Sequence, residues 1–78
     1  MNTMRKLHGT EAIMRGTIVK YMDCAGMTKD QTAMALGMSR NTFNGRLNAP
    51  GTFSMTEIGT LIERLHIPAD ELFAGYLK

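Results

Sequence analysis

Apolar residues recur along this chain three and four positions apart, which is the spacing of one face of an α-helix. The clearest example begins at Ser54, which forms the capping-box pattern S-x-x-E with Glu57. The apolar positions that follow obey the i, i+3, i+4, i+7 rule and are Ile58, Leu61, Ile62 and Leu65. The pattern therefore predicts a helix with one buried side from Ser54 onward.

Two further helices are predicted towards the ends of the chain. The first is capped by Thr10, runs from Glu11 to about Ala25 and stops at Gly26. Its buried stripe consists of Met14, Ile18 and Met22. The last helix has Pro68 in its first turn. Since no segment alternates with period two, the chain is predicted to be all-α, a compact bundle of four to five helices.

The central segment, TKDQTAMALGMSRNTFNGRL, carries Gly37 in the middle of an otherwise helical pattern. Glycine inside a helix costs about 1 kcal/mol relative to alanine, so Gly37 is expected in a turn with positive φ. Thr28 then caps a helix that ends at Leu36, and Ser39 caps a second that ends near Leu47. This spacing is typical of a helix-turn-helix, whose second helix enters the DNA major groove.

The side chains of this segment fit the same geometry. The residues expected to face inward are Ala33, Leu36, Met38, Phe43 and Leu47. The opposite side of the second helix is expected to carry Ser39, Arg40, Asn41, Asn44 and Gly45. Asparagine binds adenine and arginine binds guanine through paired hydrogen bonds, so this side suits DNA bases. Spacing alone leaves open two short amphipathic helices that bind no DNA.

The composition limits the alternatives. The chain has 78 residues, enough for one domain, and its single cysteine, Cys24, excludes an internal disulfide. With no secretory segment and no apolar run of membrane length, a cytoplasmic protein is predicted. The eight methionines would suit an adaptable binding surface, but core packing is favoured for Met14, Met22, Met34 and Met38.

The sequence shows no sign of catalysis. His8, Cys24 and His66 are scattered and lack the paired spacing of a zinc site, so no metal is expected. A phosphate-binding glycine loop is absent, and no nucleophile stands in a motif with a base. The prediction is a protein that is not an enzyme, with no cofactor and no small-molecule substrate.

Charge is distributed unevenly along the chain. Residues 1–48 hold seven Lys and Arg against three Asp and Glu, a net charge of +4. Residues 49–78 hold two against four, a net charge of −2. The basic part contains the helix expected to enter the groove, which suits a domain that turns one face towards phosphates.

The segments MTKDQTAMALGMSRNTFNGRL and FSMTEIGTLIERLHIPADELF together resemble the lambda-repressor-like (Cro/CI, Xre-type) helix-turn-helix domains. The resemblance spans roughly residues 11–74. It includes an alanine four residues before the turn glycine, Ala33, and an apolar residue six residues after it, Phe43. The resemblance implies a five-helix bundle that binds duplex DNA sequence-specifically as a transcriptional regulator, a phage- or prophage-type repressor of the Cro/CI kind.

Site residues follow from the same resemblance, position by position. The base contacts it implies are Arg40, Asn41, Asn44 and Gly45. The phosphate contacts it implies are Thr28, Lys29, Ser39, Arg46 and Asn48. Two positions depart from the family pattern. Arg46 stands where many members have an apolar residue, with Leu47 expected to be buried instead, and Gly45 weakens the reading helix and offers no side chain to a base.

Three further expectations concern organisation and partners. Residues 10–78 form the domain, and residues 1–9 form a flexible arm whose Arg5 and Lys6 either reach DNA or stay in solvent. A homodimer is predicted through a C-terminal apolar cluster, Leu72, Phe73, Tyr76 and Leu77. The main alternative to DNA binding is a non-catalytic protein-interaction module that keeps the same fold.

Overall fold

The computed structural model describes residues 9–77, and within them the chain forms helices and no strand. Five α-helices follow one another: α1 (Gly9–Ala25), α2 (Lys29–Ala35), α3 (Arg40–Asn48), α4 (Met55–Leu65) and α5 (Ala69–Leu72). Two single 3₁₀ turns, Pro50–Thr52 and Ala74–Tyr76, follow α3 and α5. The predicted all-α class is confirmed, and the helices pack into a body of 36 × 27 × 21 Å.

One apolar core holds these helices together. Every α-helix contributes to it, and its buried residues are Met14, Ile18, Met22, Ala33, Phe43, Leu47, Phe53, Ile58, Leu61, Leu65, Ile67 and Leu72. The stripes predicted for α1 and α4 are thus buried, apart from Ile62, which is half-buried against the same core. Burial of these side chains supplies most of the free energy that keeps so short a chain folded.

Hydrogen bonds at the helix starts explain where the helices begin. The predicted capping box of α4 is present: the Glu57 N–H donates to Ser54 Oγ at 3.0 Å and the Ser54 N–H to Glu57 Oε1 at 2.9 Å. α2 has a second box, in which Gln31 plays the part of Glu57 with Thr28. The α4 helix ends where His66 adopts a left-handed φ of 57°.

The N-terminal end of α1 differs from its prediction. The helix begins at Gly9 rather than Glu11, so Thr10 lies inside α1 and is not its cap. Its Oγ1 donates to the Gly75 carbonyl oxygen at 3.3 Å, which ties the start of α1 to the second 3₁₀ turn. The two backbones are so close that a Cβ on Gly75 would stand 2.9 Å from Thr10 Cα. The rest of the predicted arm, with Arg5 and Lys6, lies outside the described residues.

Two predicted side-chain roles are wrong. Met34, placed in the core by its spacing, is 78% exposed on the outer side of α2. Leu72, predicted to lie on a dimer surface, is fully buried, because α5 packs this side chain into the monomer core. Phe73 is half-buried against the same core, and only Tyr76 and Leu77 of that cluster are exposed.

A polar cluster joins α1 to α5. Tyr21 Oη donates to Glu71 Oε1 at 2.6 Å, and the Lys20 ammonium pairs with Glu71 Oε2. The hydrogen bond from Lys20, followed by the one from Tyr21, lowers the pKa of the Glu71 carboxyl below its ordinary value of 4.5. The same contacts with Glu71 raise the pKa of Lys20 and of the Tyr21 hydroxyl. The charged form of Glu71 is therefore the form that holds α5 against α1.

We expect Glu71→Gln to flatten the acid dependence of stability. A carboxyl whose pKa is lower in the folded than in the unfolded chain stabilises the fold above its unfolded pKa, and this stabilisation is lost as pH falls through the folded pKa. Melting temperatures of wild type and variant, measured between neutral pH and about pH 3, should therefore begin to converge as the pH falls below 4.5. Glu63→Gln, which removes an exposed carboxylate of α4, is the control. A constant gap at every pH would contradict the role given to Glu71.

Candidate nucleic-acid interface

The turn between α2 and α3 is built around Gly37. Its φ is +72°, as the sequence predicts. The Met38 N–H donates to the Ala33 carbonyl oxygen at 3.0 Å, and the Gly37 N–H donates to the Met34 carbonyl oxygen at 3.0 Å. This pair of bonds is a Schellman motif, which satisfies the last carbonyls of α2 and stops the helix. The next residue, Ser39, then caps α3, so the turn fixes α3 relative to α2.

We expect Gly37→Ala to destabilise the protein by about 1–2 kcal/mol, because alanine resists a left-handed φ. Collision is not the cause, since no atom lies within 4 Å of a Cβ built on Gly37. Gly16→Ala is a matched control, as Gly16 lies inside α1 with the same open space. That change should stabilise the protein by about 0.5–1 kcal/mol. Urea denaturation measures both, and shifts of the same sign would contradict the explanation.

The inner side of α3 is anchored in the core. Ser39 Oγ accepts a hydrogen bond from the Thr42 N–H at 3.1 Å, which starts the helix. One turn later Phe43 is fully buried, and its ring centroid lies 6.2 Å from that of Phe53. Leu47 is also buried, as the sequence analysis predicts, in place of the preceding residue Arg46. These contacts fix the rotation of α3 about its own axis.

The outer side of α3 follows from that rotation. With about 3.6 residues per turn, Gly45 lies opposite the midpoint between Phe43 and Leu47. Asn41 and Asn48 lie on the same line, four residues before Gly45 and three after it, and all three are exposed. Thr42, which sequence reasoning did not single out, is exposed beside them. At about 100° per residue, Thr42 lies about 140° from Leu47 on a helical wheel, and this position would have identified it as exposed.

Arg40 and Asn44 do not lie on that outer line. Four residues apart, they share a flank of α3, where Asn44 is half-buried. Arg40 is exposed as the first residue of the helix, and its Nη1 lies 3.7 Å from Asp30 Oδ2 on α2. The expectation that both stand directly opposite Phe43 and Leu47 is therefore corrected: they border the side of α3 next to α2.

Arg46 lies on the other flank and contacts the protein itself. Its Nη1 donates to the Thr52 carbonyl oxygen at 2.6 Å and lies 3.8 Å from Glu57 Oε1. Arg46 thus links α3 to the first 3₁₀ turn and to the capping box of α4. Arg46 is therefore held by polar contacts with these neighbours, while the next residue, Leu47, is buried in the core.

The remaining candidate phosphate contacts cluster near the two helix starts. Lys29 is exposed at the start of α2, next to its cap Thr28. Thr28 and Ser39 are exposed, and each hydroxyl already accepts a backbone hydrogen bond of its own helix. Within α2 and α3 the charged residues are Lys29, Arg40 and Arg46 against Asp30, and Glu57 of α4 lies beside Arg46. This surface is therefore mildly basic.

Other kinds of site find little support. Among residues 9–77, no three His, Cys, Asp or Glu side chains come together as a metal site needs. Cys24 and His66 are both exposed, and His66 ends α4. None of the helices in this part of the chain has both the length and the apolar character needed to cross a bilayer.

Comparison of the chain with family models, curated proteins and solved structures found no match. The resemblance to lambda-repressor-like domains therefore stays a prediction. What the molecule itself offers is a pair of short helices joined by a fixed turn, with the second helix anchored on one side and polar on the other.

Proposed function

We propose that this protein is a sequence-specific, duplex-DNA-binding transcriptional regulator of the lambda-repressor-like kind. In this proposal α2 and α3 form a helix-turn-helix, and α3 enters the major groove. The observation that carries the proposal is the two-sided character of α3. Phe43 and Leu47 anchor one side, while Asn41, Gly45 and Asn48 leave the other side exposed and polar or bare.

The contacts in such a complex divide into two groups. Asn41 offers a base edge both a donor and an acceptor, and Arg40 offers donors from the flank that borders α2. Lys29 and Asn48 are exposed near opposite ends of the unit and suit phosphates. Arg46 adds positive charge, but its guanidinium already binds the Thr52 carbonyl oxygen, so its part in phosphate binding is smaller.

We further propose that the protein binds DNA as a homodimer. One helix contacts few base pairs, and two-fold pairing doubles the site by placing half-sites about one helical turn apart. With Leu72 in the monomer core, the surface available is formed by Tyr76 and Leu77, which are 51% and 65% exposed. Met55, 79% exposed, lines the same apolar groove as Tyr76.

Selection of bound sequences from random duplex DNA tests the proposal. We expect enrichment of one short motif, and for a dimer the motif should recur as an inverted repeat about one helical turn apart. Two protein chains should then bind each duplex. Leu77→Asp should reduce this number to one chain per duplex. Failure to enrich any sequence would contradict DNA recognition and favour the protein-interaction alternative.

A further inference from the structure

Gly45 is placed where a glycine weakens the fold. It lies inside α3, where glycine is less stable than alanine because the backbone loses more freedom on folding. A Cβ built on Gly45 meets no atom within 4 Å. Its φ is not left-handed, in contrast to Gly37. Nothing within the protein therefore requires a glycine at this position.

The neighbours of Gly45 show what its bare backbone leaves open. The outer line of α3 carries Asn41 and Asn48 on either side of it, so the line consists of short side chains with a gap at its centre. The two long side chains of the helix stand at its edges. Arg40 leans towards Asp30 of α2, and Arg46 binds the Thr52 carbonyl oxygen on the other flank. The middle of α3 is thus its shallowest point.

A shallow outer line lets a helix approach a partner surface closely. In duplex DNA, the edges of the bases form the floor of the major groove, and the shorter a side chain is, the closer its helix must lie to this floor for the side chain to reach a base. A methyl group at the centre of the line would hold the helix further out. In a complex with DNA, the closest approach of the α3 backbone to the bases would therefore be at Gly45.

We infer that Gly45 determines the specificity of this protein by being the point at which α3 lies closest to the floor of the major groove. The inference rests on the proposed function and deepens it. Gly45 offers no hydrogen bond to a base. It acts by position, because its bare Cα brings Asn41 within reach of a base edge.

Two glycine-to-alanine variants test this inference. Gly45→Ala is compared with Gly59→Ala, since Gly59 is also exposed inside a helix, α4, with no atom within 4 Å of its Cβ position. Alanine should raise the melting temperature of each by about 2–8 °C. Binding is then measured by fluorescence anisotropy on the duplex selected by the wild type and on a scrambled duplex of equal length.

The expected result separates the two variants. Gly45→Ala should bind the selected duplex about tenfold or more weakly, which corresponds to the loss of one good base contact. It should bind the scrambled duplex as the wild type does, because non-specific binding uses phosphates and not base edges. Gly59→Ala should match the wild type on both duplexes. A protein that folds better but recognises its site less well is the signature of this role.

Each other outcome overturns the inference. If Gly45→Ala binds both duplexes as tightly as Gly59→Ala does, Gly45 has no part in recognition, while the proposed function stands. Equal weakening on both duplexes, or a lower melting temperature, would give Gly45 a general or structural role instead. If the wild type itself does not prefer the selected duplex, the proposed function fails and the inference fails with it.

Discussion

Phe43→Ala should remove most of the protein's stability, so that a substantial fraction of the molecules is unfolded at room temperature. Phe43 is fully buried, packs against the ring of Phe53 and is the residue that anchors α3 in the core. Removal of a buried phenylalanine costs about 3–5 kcal/mol through lost burial and the cavity that remains. A domain of this size has a total stability near the lower end of about 5–15 kcal/mol, so little is left.

Circular dichroism at 222 nm during urea denaturation measures this loss. Met34→Ala is the control, because it also shortens an apolar side chain but at a position that is 78% exposed. Its effect should stay within about 0.5 kcal/mol of zero. A Phe43→Ala variant as stable as Met34→Ala would show that α3 is not anchored through Phe43.

Asn41→Ala should weaken specific DNA binding by about 1–3 kcal/mol, which is the value of one paired contact to a base. Asn41 is exposed on the outer line of α3, so the fold should keep its stability. Lys29→Ala should act differently. As a phosphate contact at the start of α2, it should weaken binding to all duplexes by similar factors.

Affinities on the selected duplex and on single-base variants of it distinguish these roles. Asn41→Ala should lose discrimination at one position of the site and keep it elsewhere. Thr56→Ala, at an exposed polar position of α4, serves as the control and should bind like the wild type. Uniform weakening by Asn41→Ala across all duplexes would remove it from the base-reading group.

Local signals correctly predicted the all-helical class and several helix ends. The α4 capping box and the left-handed turn at Gly37 depend on a few consecutive residues, and both are confirmed. The orientation of Met34 could not be predicted from such local signals. α2 has seven residues, which is just under two helical turns. In so short a helix, the spacing of apolar residues alone does not determine which side faces the core. The prediction that Met34 packs in the core was therefore wrong, and its side chain is exposed.

Contacts between elements that are far apart in the sequence could not be predicted from local sequence patterns. Arg46 could be singled out from the sequence, but its partner, the Thr52 carbonyl oxygen, is a backbone atom in a segment whose course the sequence does not specify. Leu72 was predicted to lie on the surface because the last helix holds more apolar residues than it was expected to need for packing onto the core. Leu72 is buried because α5 packs against α1. Tyr21 and Lys20 of α1 hold α5 there by binding Glu71.

The salt dependence of binding to the selected duplex tests the central proposal most directly. If α2 and α3 bind DNA, the logarithm of the association constant should fall linearly with the logarithm of salt concentration, by about 0.9 for each phosphate neutralised. Lys29→Ala should reduce this slope by about one, and Glu63→Gln should leave it unchanged. The absence of any complex at about 50 mM salt, or a slope that Lys29→Ala does not change, would contradict DNA binding through this surface.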